Sequence, residues 1–319
     1  MRLNVSLEEA QEMVLGMLKP IGREVVVHLP DLLGWVLSRD IKAPFSVPAF
    51  DKSPLDGYAL RAEDTKAAVP DKPVILRVIE EVPAGSVPTK KVEQGKAIRI
   101  MTGAPIPEGA DVVVRFEDVE EAADTIKLSQ PLASGANIIP AGDDVVEGEV
   151  VASAGTRINA PLIGMLASLG ISSVPVYQRV KVAIISTGDE LLDPGEKRLP
   201  GKIYNSNRYL LEARCKELGA EPVYLDCVPD QETVVAESLQ KALEVADLVI
   251  TTGGASVGQY DVVKNAINAV GAETLFWKMG LKPGMPTVVA RKDEKVIFSL
   301  SGNPAAAMIT FELLAVPAL

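Results

Sequence analysis

One histidine stands in 319 residues. His28 sits in Val25-Val26-Val27-His28-Leu29-Pro30, a strand or strand end, so metal sites built on several histidines are excluded. A Ser-His-Asp triad would have to be built on that one ring. Cysteine is nearly as scarce. Cys215 and Cys227 form no C-x-x-C pair and imply neither a disulfide framework nor a zinc or iron–sulfur site. Both read as reduced core thiols, Cys215 in a helix and Cys227 near a strand end. No apolar run reaches the roughly 20 residues a membrane helix needs, and Met1 to Gln11 is polar and acidic rather than a signal peptide. The expectation is a cytoplasmic protein without a membrane partner. Excess positive charge is also missing: the net charge of −11 argues against nucleic acid as a partner, because phosphate backbones want a basic face. Catalysis must then run on carboxylates, hydroxyls, lysines and backbone.

What is present is an ordinary globular composition, 47% hydrophobic and 24% charged, with room for two or three domains. Two textures divide it. From about Phe45 to Ala154, short β-branched runs alternate with Pro and Gly: Val74–Ile79, Ala97–Met101, Val112–Phe116 and Thr125–Leu128. These predict a small β-domain. Ahead of it, Ser6-Leu7-Glu8-Glu9 is a capping box opening a helix through about Leu18, and Pro161 to Gly170 is helical after it. From Arg179 strands and helices alternate, with strands at Val180–Ser186, Glu221–Val228, Leu248–Thr251 and Val296–Leu300. Helices are expected at Arg208–Leu218, Gln231–Val245 and about Tyr260–Val270, and Asn303-Pro304 opens a last one. The predicted fold is multi-domain α+β. Residues 1–44 and 141–177 form a discontinuous N-terminal domain, 45–140 an inserted β-domain, and 178–319 a doubly wound α/β domain.

In open parallel sheets ligands bind beyond the carboxyl ends of the strands. Four unusual loops fall there: Ser186-Thr187-Gly188-Asp189-Glu190, Val228-Pro229-Asp230, the segment from Thr251 through Gly253, Gly254 and Ser256 to Gly258, and Leu300-Ser301-Gly302-Asn303. Their glycines allow backbone N–H groups close to a phosphate, although none of the loops is a Walker A or a dinucleotide fingerprint. Asp189, Glu190, Asp230 and Asp261 lie in or just after them. Carboxylates facing a phosphorylated ligand repel it unless a divalent cation bridges them, which points to Mg²⁺ or another such ion. Two alternatives stand beside this: Asp230 could cap the helix from Gln231, and Asp261 could sit in a first helical turn for dipole reasons. Lys278 and Lys282 bracket Gly280, the second in the stiff Lys282-Pro283-Gly284 turn; they are either anion contacts or solvated side chains. In the β-domain, Asp56 precedes a glycine in a turn and Thr102 ends a strand, and turn chemistry alone explains both.

Taken in order, these segments resemble the molybdopterin molybdotransferase family over nearly the whole chain. The resemblance runs through Ser53-Pro54-Leu55-Asp56-Gly57-Tyr58-Ala59, Pro83-Ala84-Gly85 and Met101 to Asp111. It continues through Ser186 to Leu191, Thr252 to Gly258, the Lys282 turn and Gly302-Asn303-Pro304. It implies an elongated homodimer whose third domain has the molybdopterin-binding fold. It also implies cleavage of adenylylated molybdopterin with release of AMP, and insertion of molybdate or tungstate into the dithiolene. By motif position, Asp56, Thr102, Glu190, Asp230 and Asp261 would be catalytic, with Glu190, Asp230 and Asp261 at the metal. Ser186, Thr187, Gly188, Asp189, Gly253, Gly254, Ser256, Lys278, Lys282, Gly302 and Asn303 would bind substrate. Against the family pattern, Met285 stands where a second lysine is common, Ser301 replaces a proline and Trp35 an arginine. The family usually continues beyond Pro317-Ala318-Leu319 into a small β-domain, so a fragment or a short member is expected. A molybdopterin adenylyltransferase and a non-catalytic cofactor carrier or scaffold are the competing readings.

Overall fold

The computed structural model describes residues 2–254 and 262–319. The chain forms two compact units, Met1–Val26 with Pro175–Leu319, and Val27–Val174.

The first unit is a seven-stranded sheet. Its strands are β1 (Arg2–Val5), β2 (Lys181–Thr187), β3 (Glu221–Val228), β4 (Leu248–Thr252), β5 (Glu273–Met279), β6 (Val288–Lys292) and β7 (Lys295–Leu300). They lie in the order β1-β5-β6-β7-β4-β2-β3, and every pairing is parallel except the two made by β6. Alternating side chains go to opposite faces. Val182, Ile184, Leu248, Ile250 and Phe298 join one core with α1 (Leu7–Leu15), α2 (Ser206–Leu218) and α5 (Pro304–Thr310). Ala183, Ile185, Val249 and Ile297 join another under α3 (Glu232–Val245) and α4 (Val262–Ala269). Burial on both faces is why these strands read as continuous apolar runs.

The N-terminus departs from the expected division. Residues 1–26 belong with the α/β unit rather than with a domain 1–44. The cause is non-local: β1 adds in parallel to the free edge of β5, and Ala10 and Val14 of α1 are fully buried in that unit's core. The capping box itself forms, Ser6 Oγ accepting from the Glu9 N–H and Glu9 from the Ser6 N–H, but the helix stops at Leu15.

The second unit holds a six-stranded sheet in the order Val112–Arg115, Gly57–Leu60, Lys96–Ile100, Val74–Val82, Thr125–Leu128 and Glu120–Ala122. All four predicted strands are in it. The flanks of this insert pair with each other, Ile41–Lys42 with Val150–Ala152, Val36 with Arg157 and Val47 with Val145. His28 ends the strand Glu24–His28, as the sequence suggests.

Candidate functional site

Strand register places the predicted loops on one edge. Lys278 donates its N–H to Thr287 O at 2.9 Å, and the pairs that follow run Leu300 with Thr252, Thr252 with Ser186 and Ser186 with Cys227. One residue earlier, a single level crosses the sheet through Trp277, Val288, Ser299, Thr251, Ile185 and Leu225, and the chain leaves the sheet just past it. The lysine turn, the glycine loops and the acidic loops therefore share the carboxyl end of one sheet.

Within that edge, Thr187, Gly253, Gly254 and Asp230 pack tightly. A Cβ on Gly253, at φ +90°, would stand 2.2 Å from Thr187 O. One on Gly254, at φ +64°, would stand 2.9 Å from Thr187 Oγ1 and 3.7 Å from Asp230 Oδ1. A Cβ on Gly188 would meet Glu190 Oε2 at 2.6 Å, so that glycine makes room for the carboxylate. Glycine is needed here for approach, not for free donors: the Gly188 N–H donates to Val228 O at 3.2 Å and the Gly253 N–H to Leu300 O at 3.3 Å. For these two positions the expected phosphate-facing N–H groups are already engaged.

The acidic groups crowd one another. Asp230 has its carboxyl raised above the usual range by burial and by the like charges of Glu190 and Asp189, with the Thr187 hydroxyl pulling the other way. That hydroxyl is buried without a hydrogen-bond partner among the described residues, and it faces Gly254 on the same side as Asp230 Oδ1. Helix α3 begins at Glu232 with Gln231 at the cap and no side-chain cap bond. Asp230 is not its cap. Glu190 and Asp189 are exposed, and their loop is held by the pairing of Leu191–Leu192 with Ile203–Tyr204 and by Lys202 Nζ donating to Asp189 O. Repelling carboxylates around a glycine-lined floor suit a divalent cation. Among the described residues no three such side chains converge closely enough to enclose a metal ion. Asp261, the third expected ligand, and Ser256 lie outside the described residues.

Other expected contacts resolve differently. Ser186 is fully buried and its Oγ donates to Asn205 Oδ1 at 3.3 Å, so it braces the helix entry rather than facing solvent. Asn303 Oδ1 accepts from the Ala305 and Ala306 N–H groups at 3.0 and 3.2 Å, capping α5. Gly302 passes within contact of Gly253, a Cβ there standing 3.5 Å from Gly253 Cα. Asn207, which the sequence reading passed over, donates Nδ2 to Gly302 O at 2.9 Å and ties the loop after β7 to α2. Its Oδ1 and Asn205 Nδ2 are buried without partners among the described residues, and such groups cost stability. The Asn-Ser-Asn string was the available signal, and it reads as ordinary capping.

In the second unit, Asp56 and Thr102 meet. Asp56 Oδ1 accepts from the Thr102 N–H at 2.7 Å and from its hydroxyl at 2.8 Å. These two bonds, the backbone one foremost, hold the exposed carboxyl below its usual range. The two loops are pinned by Ser53 N–H to Ala104 O and Gly103 N–H to Ser53 O.

Comparison with known proteins fits both units. The family model "MoeA N-terminal region (domain I and II)" matches residues 5–170, and "Probable molybdopterin binding domain" matches 183–319. The molybdopterin molybdenumtransferase of Bacillus subtilis is 40% identical over 99% of this chain and 74% of its own length. Molybdopterin molybdenumtransferase 2 of Mycobacterium tuberculosis is 39% identical over 98% and 78%. Two crystal structures of the molybdopterin biosynthesis MoeA protein from Pyrococcus horikoshii superpose with TM-scores of 0.90 and 0.84, at 35% and 36% identity. Each covers 99% of this chain, which spans 79% and 78% of theirs. With matched segments in both units and a shared fold over its length, the chain belongs to the molybdopterin molybdotransferase family.

Proposed function

We infer that this chain inserts molybdate or tungstate into molybdopterin, cleaving the adenylylated substrate with release of AMP. The observation that carries this reading is the single sheet edge on which the acidic loops after β2 and β3 and the lysine turn after β5 stand level. An acidic protein can hold an acidic substrate only where local cations offset its field. Lys278 and Lys282 supply such charge on one side. On the other, Glu190 and Asp230, with Asp261, would hold a divalent cation, which would neutralise the phosphates. Around it, the tight contacts among Thr187, Gly253 and Gly254 fix the pocket floor. Asn207 fixes the Gly302 loop, and Lys202 and the Leu191–Leu192 ribbon fix Asp189 and Glu190. Asp56 and Thr102 are assigned to the same reaction on family resemblance.

The family match over the second unit speaks against an adenylyltransferase, whose resemblance covers only the molybdopterin-binding part. No helix among the described residues is long and apolar enough to cross a membrane. A cytoplasmic homodimer that binds no nucleic acid is part of the same proposal. The test is incubation of the chain with adenylylated molybdopterin, Mg²⁺ and molybdate. AMP release is the expected result; tight binding without release would make the chain a carrier. Tungstate in place of molybdate separates the two oxyanions, and sedimentation reads the dimer.

A further inference from the structure

Asp189, Glu190 and Asp230 make no ion pair among the described residues, whereas Asp193, on the same loop as the first two, stands against Arg208 of α2. We propose that Arg208 is a positioning residue for that loop. It takes Asp193 out of the acidic group and holds Asp189 and Glu190 where a divalent cation and the substrate phosphates would meet them. The proposal rests on the reading of the sheet edge given above and adds to it a residue that the motifs do not single out.

The guanidinium of Arg208 is fixed on three sides. Its central carbon lies 3.5 Å from the centre of the Tyr224 ring, on edge strand β3, so the flat fork is stacked on the ring. Nε donates to Glu212 Oε1 at 3.0 Å, one turn along α2. The remaining edge, Nη1, stands 3.5 Å from both carboxylate oxygens of Asp193. The Arg208 side chain is 22% exposed and that of Asp193 48%, so water screens the pair in part and its effect is moderate. A lysine would keep the charge but not the fork that stacks, pairs with Glu212 and meets Asp193 at once.

The loop needs such a tether. Beyond Asp189 it leaves the main sheet and forms a separate ribbon of Leu191–Leu192 with Ile203–Tyr204. Two strands this short do not hold themselves in place in water. The other side-chain bonds of the loop close on the loop itself. They are Lys202 Nζ to Asp189 O, Tyr204 Oη to Glu196 O at 3.0 Å, and the Asp193 N–H to Glu196 Oε2 at 2.6 Å. Those bonds keep its shape but not its place. Among the described residues, Arg208 is the side chain whose contacts tie it to α2 and, through Tyr224, to β3.

The test is amide hydrogen exchange on the full chain, together with the Mg²⁺ dependence of AMP release. The reporters are the Ile203 N–H, bonded to Glu190 O at 2.9 Å, and the Asn205 N–H, bonded to Leu192 O at 2.8 Å. Arg208→Met should speed exchange at both about 10-fold and leave Ile184 and Ile250 in the core within about 2-fold. Asp193→Asn, which loses only the pair, should speed it about 3-fold. The double variant should be no faster than Arg208→Met, because the two residues act through one contact. The Mg²⁺ concentration for half-maximal AMP release should rise in the same order, with the rate at saturating Mg²⁺ within about 3-fold of the parent. Arg208→Lys should fall between the parent and Arg208→Met on both readouts, and it replaces Arg208→Met if that variant does not fold. Unchanged exchange in the loop, or faster exchange throughout the sheet, would overturn the proposal. Faster loop exchange with an unchanged Mg²⁺ requirement would overturn it too, since the tether would then not position the acidic groups. No AMP release from the parent would overturn the proposed reaction instead. Slowing of the two amides by Mg²⁺ in the parent, lost in Arg208→Met, would still carry the positioning role, and its absence in such a parent would overturn that as well.

Discussion

The acidic edge of the α/β unit and the Asp56–Thr102 loop pair of the other unit both present carboxylates, but they treat them in opposite ways. Asp56 is satisfied: its oxygen takes two hydrogen bonds and its carboxyl is held below the usual range. Asp230 is raised above it, by burial first and then by the like charges of Glu190 and Asp189. A group that stabilises the fold by itself needs no ligand, whereas one left in a conflict of charges marks where a ligand is to be bound. The α/β edge is the strained region, and the loop pair is the settled one.

The largest effect should separate the two kinds of cost. Losing an outer-shell partner of a metal typically costs 10–100-fold, so under the proposed function, in which Glu190 and Asp230 would hold the cation, Glu190→Gln or Asp230→Asn should cut AMP release by more than about 100-fold. Asp230→Asn should not lower stability at pH 7. The sign follows from the shift: a carboxyl raised in the folded state becomes a growing penalty as pH rises from its ordinary value through the raised one. Asp230→Asn should therefore match or exceed the parent in Tm at neutral pH, and the difference should vanish in acid. Full activity in Asp230→Asn would remove that residue from the metal, and no capping role remains to explain it.

Glycines sharpen the contrast at the level of packing. Gly253→Ala puts a methyl 2.2 Å from a backbone oxygen in a left-handed conformation, and should cost about 2–4 kcal/mol in denaturant unfolding. Gly103, at φ +83° beside Thr102, has nothing within 4 Å of such a methyl. Gly103→Ala should cost only the backbone strain, about 1–2 kcal/mol. Equal losses would mean that the floor of the acidic edge relaxes as easily as an open turn.

Much of this was legible in the chain. Strands buried on both faces announce themselves, and β2, β3, β4 and β7 fell within a residue or so of their predicted ends. The loops beyond them followed from the rule for parallel sheets. What escaped is non-local. β1 is four residues long with Leu3 61% exposed, and only its docking on β5 makes it a strand. β5 and β6 pair antiparallel within the sheet and were missed, so the Lys278 turn could not be placed level with Ser186 from sequence. Asn207 and Arg208 look like a cap neighbour and a surface helix charge until Gly302 and Asp193 are beside them.

A smaller effect tests the settled region. Asp56→Ala removes both bonds to Thr102. Because Asp56 is held below its ordinary value in the fold, its contribution is present above that value and is lost as pH falls through the depressed one. Thermal unfolding of Asp56→Ala should show a small drop in Tm at pH 7 that closes in strong acid, the opposite of the Asp230→Asn pattern. The same pH trend in both variants would erase the distinction between the two carboxylates.

The smallest effect reads the cation without any turnover. Cys227 is exposed as a residue, but the chain around its thiol withdraws it partly from water and pushes it up to about 11, with Asp193, Glu190, Asp230 and Asp189 adding to the rise. Thiolate is the form that reacts, so Cys227 should alkylate slowly at pH 8, while fully buried Cys215 serves as the silent control. A divalent cation held by Glu190 and Asp230 would cancel part of that negative field. One unit charge about 8 Å away in a watery dielectric is worth about 0.5 kcal/mol, a factor of roughly 2 in thiolate at fixed pH. Mg²⁺ at millimolar concentration should therefore speed iodoacetamide labelling of Cys227 about 2-fold in the parent chain and not at all in Asp230→Asn, with equal ionic strength kept by KCl. A Mg²⁺-independent rate in the parent would mean that the acidic edge holds no cation before substrate arrives, leaving its charge conflict to be relieved by the substrate complex alone.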